Sequence, residues 1–76
     1  GDSQADRERI LGEVREATHE MSQPIQVILG LAELLLSGRA DPASVRADAG
    51  RIADQAQRLH RLNQRLNRLA KTGRVD

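Results

Sequence analysis

His19 and Glu20 are adjacent in the chain, and Pro24 follows five residues after the histidine. A neutral imidazole has one nitrogen with a free lone pair and one N–H group. It can therefore act as a nucleophile while a carboxylate accepts the proton of its second nitrogen. Proline inside a helix removes one N–H donor and clashes with the carbonyl four residues earlier, here that of Glu20, at a cost of about 3 kcal/mol. A kink beside this pair indicates a site for chemistry on the imidazole.

Two segments carry apolar or small residues at alternating spacings of three and four, which is the a and d pattern of a coiled-coil seam. In the first segment these residues are Leu11, Val14, Thr18, Met21, Ile25, Ile28, Ala32 and Leu35. In the second they are Val45, Ala49, Ile52, Ala56, Leu59, Asn63, Leu66 and Ala70. The pattern predicts two helices, at about residues 5–37 and 42–71, and places the histidine on the first.

A short break at about residues 38–41 separates the two predicted helices. Gly38 suits a left-handed C-terminal cap, Asp41 suits the N-cap of the next helix, and Pro42 suits its first position. A loop this short makes the second helix return antiparallel to the first. The predicted fold class is therefore all-α, an antiparallel helical hairpin.

The apolar stripe on each predicted helix is wider than one seam. Further large apolar residues widen it, namely Ile10, Leu29, Leu31, Leu34, Leu62 and Leu69. Two helices of about 30 residues cannot bury so wide a stripe against each other alone, whereas two hairpins can. We therefore expect a homodimer that forms a four-helix bundle. Residues 1–76 would form one domain, of which residues 1–3 resemble a remnant of recombinant expression.

Composition excludes several classes of site. The 76 residues include no cysteine and no aromatic residue, which excludes disulfides, thiolate catalysis and thiolate-bound metals. His19-Glu20 begins the zinc-protease pattern His-Glu-x-x-His, but residue 23 is glutamine, so no metal site is predicted. No glycine-rich phosphate loop is present, and no apolar run approaches the roughly 20 residues that span a bilayer.

Charge is unevenly distributed although the formal net charge is only +1. From Gln55 to Val75 the chain has no acidic residue, and its basic residues are Arg58, Arg61, Arg65, Arg68, Lys71 and Arg74. Such a basic helix permits binding to nucleic acid. One alternative function is therefore a non-enzymatic dimeric helical module that binds nucleic acid or a protein partner through its second helix. Another is a plain dimerisation bundle.

The segment His19-Glu20-Met21-Ser22-Gln23-Pro24 resembles the phosphoacceptor motif of sensor histidine kinases, His-Glu-x-x-(Thr or Asn)-Pro. This motif lies in their dimerisation and histidine-phosphotransfer domain. The heptads, the loop position and the length match that domain too, so the resemblance covers residues 5–72. It implies that His19 takes the γ-phosphoryl group of ATP and passes it to an aspartate of a response regulator.

The resemblance also implies roles for the neighbours of His19. Glu20 would accept a hydrogen bond or a proton from the other ring nitrogen, and Pro24 occupies the kink position. Gln23 stands where the family usually has Thr or Asn, the residue that positions water for dephosphorylation of the regulator. An amide could still orient water there. Folding the chain back about residue 40 places His60 and Arg61 level with the histidine. Arg58 or Arg61 could steady a phosphoryl group there, although a solvated basic face is the simpler interpretation of these arginines.

Cofactors and partners follow from the same resemblance. ATP and magnesium would bind a separate catalytic domain of the same kinase, so no cofactor is expected in this chain. The chain would be part of a histidine protein kinase, a phosphotransferase, and could not phosphorylate itself alone. Its expected partners are a second copy of itself, that catalytic domain and a receiver domain of a response regulator, with no nucleic acid. The expected location is the cytoplasm.

Overall fold

The computed structural model describes residues 2–39 and 41–72. Helix α1 spans Asp2–Leu36 and helix α2 spans Pro42–Thr72. They pack side by side in a rod with principal extents of 58 × 14 × 12 Å. Arg65 of α2 lies beside residues 13–20 of α1, so the two helices run antiparallel. This arrangement confirms the predicted helical hairpin.

The helix ends differ from the predicted ones by a few residues. Helix α1 begins at Asp2, before the expected residue 5, and α2 ends one residue later than expected. Of the presumed remnant at residues 1–3, Asp2 and Ser3 belong to α1, while Gly1 lies outside the described residues. Arg74 of the basic stretch also lies outside them.

Local hydrogen bonds end α1. Ser37 N–H donates to the Glu33 carbonyl at 3.0 Å, and Gly38 N–H donates to the Leu35 carbonyl at 3.3 Å. Gly38 has a φ of 73°, in the left-handed region that glycine adopts without a steric penalty. The chain can turn at this position because glycine has no Cβ, whereas any residue with a Cβ would be strained in this conformation.

Asp41 caps the N-terminus of α2. Its carbonyl accepts the N–H groups of Ser44 and Val45, both at 2.9 Å. Its side-chain Oδ1 accepts the Ala43 N–H at 3.3 Å. Pro42 occupies the first helical position, where a missing N–H costs nothing. The second helix therefore starts where its sequence predicts.

The face of α1 that packs on α2 is offset by one residue from the predicted seam. Ala17, Pro24 and Leu31 are buried, whereas Thr18 and Ile25 are exposed. The predicted seam is therefore only partly buried. Its half-buried members are Met21, Ile28, Ala32 and Leu35, and its exposed members also include Leu11 and Val14. The pattern placed the seam there because those positions are the more continuously apolar, while the buried face includes two glutamates.

Helix α2 keeps three of the eight positions of its predicted seam. The predicted positions that are half-buried are Ile52, Leu59 and Leu66. At alternate turns the inner residue lies one position earlier than predicted, and these inner residues are Asp48, Gln55, Leu62 and Leu69. The predicted residues at those turns are exposed, namely Ala49, Ala56, Asn63 and Ala70. An apolar pattern favours alanine over aspartate or glutamine, and this preference misplaced the seam at those turns.

Neither helix, over the ranges described, contains a segment that is both long and apolar enough to cross a lipid bilayer.

Candidate functional site

His19 lies near the middle of α1 and is exposed. Ala17 and Pro24 are buried against α2. At 100° per residue they point roughly 140–160° away from the histidine. Among the described residues, none forms a hydrogen bond or an ion pair with the imidazole. The ring is thus open to a reactant from solvent.

Glu20 is half-buried and faces α2 rather than His19. Its Oε2 lies 3.6 Å from Nη1 of Arg65. Adjacent residues on a helix point about 100° apart and do not face each other. To reach the imidazole, the carboxylate must rotate away from the guanidinium, as catalytic groups often do only when a substrate is bound.

Arg65 joins the two helices at the level of the histidine. Its guanidinium donates a hydrogen bond to Oε2 of Glu13, and it also lies beside Glu20. The hydrogen bond to Glu13 is the main cause that raises the pKa of Arg65 above its usual value, and partial burial opposes it. The negative charges of Glu13, Glu20 and Glu16 raise this pKa further. Arg65 is therefore a permanent cation within reach of the motif.

Sequence reasoning did not single out Arg65. It favoured Arg58 and Arg61, because their numbers place them level with the histidine. In the structure Arg58 is half-buried and Arg61 is exposed, and neither has an ion-pair partner among the described residues. A helical side chain leans toward the N-terminus of its helix, so Arg65 covers the level of a residue one turn earlier. This lean of helical side chains is the signal by which sequence reasoning could have identified Arg65.

Gln23 is exposed and lies four residues after His19 on the same helix. Side chains four apart are neighbours on one helical face. The amide therefore lies on the same side of α1 as the imidazole.

Pro24 is fully buried, with its side chain less than 2% exposed. Its ring takes the place of an N–H that would bond the Glu20 carbonyl, so the backbone ladder of α1 is interrupted beside the histidine. Thr18 Oγ1 donates to the Val14 carbonyl at 2.7 Å, a contact that often bends helices. Both features lie within five residues of His19, in a helix that is continuous from Asp2 to Leu36.

No group of three or more potential metal ligands exists within the described residues. His60, the second histidine, is exposed on α2. The chemistry of the site therefore depends on the imidazole, two carboxylates, one guanidinium and one amide.

A helical hairpin that presents an exposed histidine five residues before a buried proline has the form of a phosphoacceptor domain. Residues 10–74 match the model of the family HisKA, His Kinase A (phospho-acceptor) domain. Since the match covers most of the chain, the chain belongs to the HisKA family. This family supplies the phosphoacceptor and dimerisation domain of histidine kinases in two-component signalling. Comparison with curated proteins and with solved structures gave no match.

Proposed function

We propose that His19 is the phosphoacceptor of this domain and relays a phosphoryl group from ATP to a response regulator. The observation that carries the proposal is the exposed imidazole near the middle of a helix that contains a buried proline, in a chain of the HisKA family. ATP would come from a catalytic domain other than this hairpin. Such a transfer places the domain in the cytoplasm, where ATP is available.

The reaction at His19 is a nucleophilic substitution at phosphorus. The lone pair of the neutral ring nitrogen forms a bond to the γ-phosphorus, and the bond from that phosphorus to the bridging oxygen breaks, which releases ADP. The ring then carries a positive charge until its other nitrogen loses a proton. Glu20 is the group that accepts this proton or stabilises the charge by a hydrogen bond. In the second step an aspartate carboxylate of the regulator forms a bond to the same phosphorus while the phosphorus–nitrogen bond breaks. The ring regains the proton that it lost in the first step, so it leaves as the neutral imidazole.

Gln23 is our candidate for a second function of the domain, hydrolytic removal of the phosphoryl group from the regulator. Its amide lies on the same helical face as His19. An amide both donates and accepts hydrogen bonds, so it can hold a water molecule in line with an acyl phosphate.

We further propose that two hairpins assemble into a four-helix bundle. The single hairpin has an accessible surface of 5890 Å², compared with about 4,600 Å² for a compact protein of its mass. The excess of roughly 1,300 Å² exceeds the approximately 800 Å² that each partner buries in a typical stable interface. Large apolar side chains lie on the uncovered surface, among them Leu11, Val14, Ile25 and Leu29.

The test uses the 76-residue chain, a kinase ATP-binding domain supplied separately, and ATP labelled at the γ-phosphate. We expect an acid-labile, base-stable label, as for a phosphorus–nitrogen bond. The label should disappear in His19→Gln. The matched control is His60→Gln, because His60 is the other exposed histidine of the described hairpin.

Retention of label in His19→Gln, or loss of label in His60→Gln, would contradict the assignment of His19. Absence of labelling in the unmodified chain, together with binding to DNA or RNA that weakens steeply with salt, would favour the nucleic-acid alternative.

A further inference from the structure

Two glutamates of α1 flank one arginine of α2. Glu13 and Glu20 are seven residues apart, so they lie on the same face of α1, two turns from each other. Arg65 donates a hydrogen bond to Glu13, and its Nη1 lies 3.6 Å from Oε2 of Glu20. One guanidinium therefore serves two carboxylates.

The two contacts are unequal. Arg65 forms a direct hydrogen bond with Glu13, whereas its distance to Glu20 exceeds that of a hydrogen bond. A closer approach to one carboxylate draws the guanidinium away from the other, because the planar fork of arginine engages one carboxylate best.

Partial burial strengthens this competition. The side chains of Arg65, Glu13 and Glu20 are 29%, 23% and 37% exposed. Water and salt screen half-buried charges less than fully exposed ones. Glu16 adds a further negative charge near the guanidinium, but it is exposed and not in contact with it. Arg65, Glu13 and Glu20 therefore form a cluster of three charged side chains across the interface between the two helices.

We propose that Glu13 and Glu20 compete for Arg65, and that Arg65 is thereby a positioning residue that controls how readily the Glu20 carboxylate can turn to His19. This inference rests on the proposed phosphoacceptor role of His19. When Arg65 is held by Glu13, Glu20 is free to rotate toward the imidazole. When Glu13 is lost, Arg65 moves fully onto Glu20 and retains it on the α2 side.

The competition predicts opposite effects from removing the two partners of one ion pair. Arg65→Gln releases Glu20 and should speed phosphorylation of His19. Glu13→Gln leaves Arg65 to Glu20 alone and should slow it. Each change should lie between about 1.5-fold and fivefold, the range that ion pairs of modest strength produce. A purely structural ion pair would give changes in the same direction, since both substitutions break the same contact between the helices.

The experiment measures initial rates of labelling in the 76-residue chain with the separate kinase domain and labelled ATP. The controls for charge are Arg46→Gln on α2 and Glu8→Gln on α1, both exposed and without an ion pair among the described residues. Circular dichroism verifies that each variant keeps its helix content. Arg65→Lys, which keeps the charge without the fork, should lie between the unmodified chain and Arg65→Gln. Rate changes in the same direction for Arg65→Gln and Glu13→Gln, or no change in either, would overturn the proposal.

A second measurement needs no phosphorylation. Long-range proton–nitrogen NMR reports the ratio of the two tautomers of the neutral His19 ring, and a carboxylate bonded to one nitrogen shifts that ratio. We expect Arg65→Gln to shift the ratio in the chain with Glu20, and to leave it unchanged when Glu20→Gln is also present. An equal shift in both backgrounds would overturn the role of Glu20. If the ratio responds as expected while His19 takes up no label, the positioning by Arg65 stands and the phosphoacceptor role fails.

Discussion

The direction of the His19 ring follows from the burial of its neighbours on α1. His19 is exposed, while Ala17 and Pro24 on the opposite side of the same helix are buried. The buried residues fix the direction in which the ring points. Glu20 lies at the boundary between the exposed and the buried face, so a side-chain rotation alone decides whether its carboxylate contacts the ring or Arg65.

Replacement of Glu20 tests its part in proton transfer. We expect Glu20→Gln to lower the initial rate of His19 labelling by about 100-fold, because a positioned general base contributes at least that factor. The matched control is Glu16→Gln, four residues earlier on α1 and exposed, which should change the rate less than twofold. Equal losses in the two variants would show that only the negative charge of the helix matters.

The sequence predicted which residues of α1 form the motif, but not which residue of α2 contacts them. His19, Glu20 and Pro24 were found because their spacing along one helix is itself the signal. Arg65 was not found, since its pairing depends on the register of two helices that are distant in sequence. A contact between helices has no spacing pattern in the chain.

At the scale of helices, Pro24 interrupts the backbone hydrogen bonds of α1 five residues after His19. The proline is buried against α2, and it leaves the Glu20 carbonyl without its helical donor. Helix α2 contains no proline after its first residue, Pro42. We therefore expect α1 to bend more readily beside His19 than α2 does at the same level.

Pro24→Ala tests this bend. The substitution restores a backbone hydrogen bond and removes a clash, together worth about 3 kcal/mol. It also loses two buried methylene groups, about 1.6 kcal/mol, and the stiffness of proline in the unfolded chain, about 0.4–1 kcal/mol. We expect the free energy of unfolding to rise by roughly 0.5–1 kcal/mol and labelling of His19 to slow. Thermal unfolding followed by circular dichroism, at equal chain concentrations, measures the first effect.

The control for Pro24→Ala is the other proline. Pro42 occupies the first position of α2 and is exposed, so Pro42→Ala gains no hydrogen bond and should lower stability by about 0.5 kcal/mol. The two substitutions should thus move stability in opposite directions. A lower stability for Pro24→Ala would mean that packing of the buried proline ring stabilises the chain more than the restored backbone hydrogen bond does.

At the scale of the whole molecule, the single hairpin leaves one apolar stripe uncovered. Helix α1 carries two neighbouring stripes, of which α2 covers the one through Ala17, Pro24 and Leu31. The other runs through Leu11 and Ile25, which are 60% and 49% exposed. Sequence predicted that the apolar surface of α1 is wider than one seam, because further large apolar residues flank the seam positions. It did not predict that Ala17 and Pro24 lie in the hairpin interior, because alanine and proline add little to an apolar pattern.

Ile25→Glu tests whether a second chain covers that stripe. Because Ile25 is about half exposed in the hairpin, the substitution costs a single hairpin little. In a symmetric dimer it places two carboxylates in one apolar interface, and each buried ion costs several kcal/mol. We expect the dissociation constant of the dimer to rise at least about 100-fold, which corresponds to about 2.7 kcal/mol. Sedimentation equilibrium across a range of chain concentrations measures this dissociation constant.

The control is Gln26→Glu, which adds the same charge at a neighbouring exposed position. It should leave the dissociation constant within about threefold of the unmodified value. If the unmodified chain sediments as a monomer, the uncovered stripe is not a dimer interface. If both glutamates weaken the dimer equally, long-range charge repulsion rather than burial of Ile25 controls the assembly.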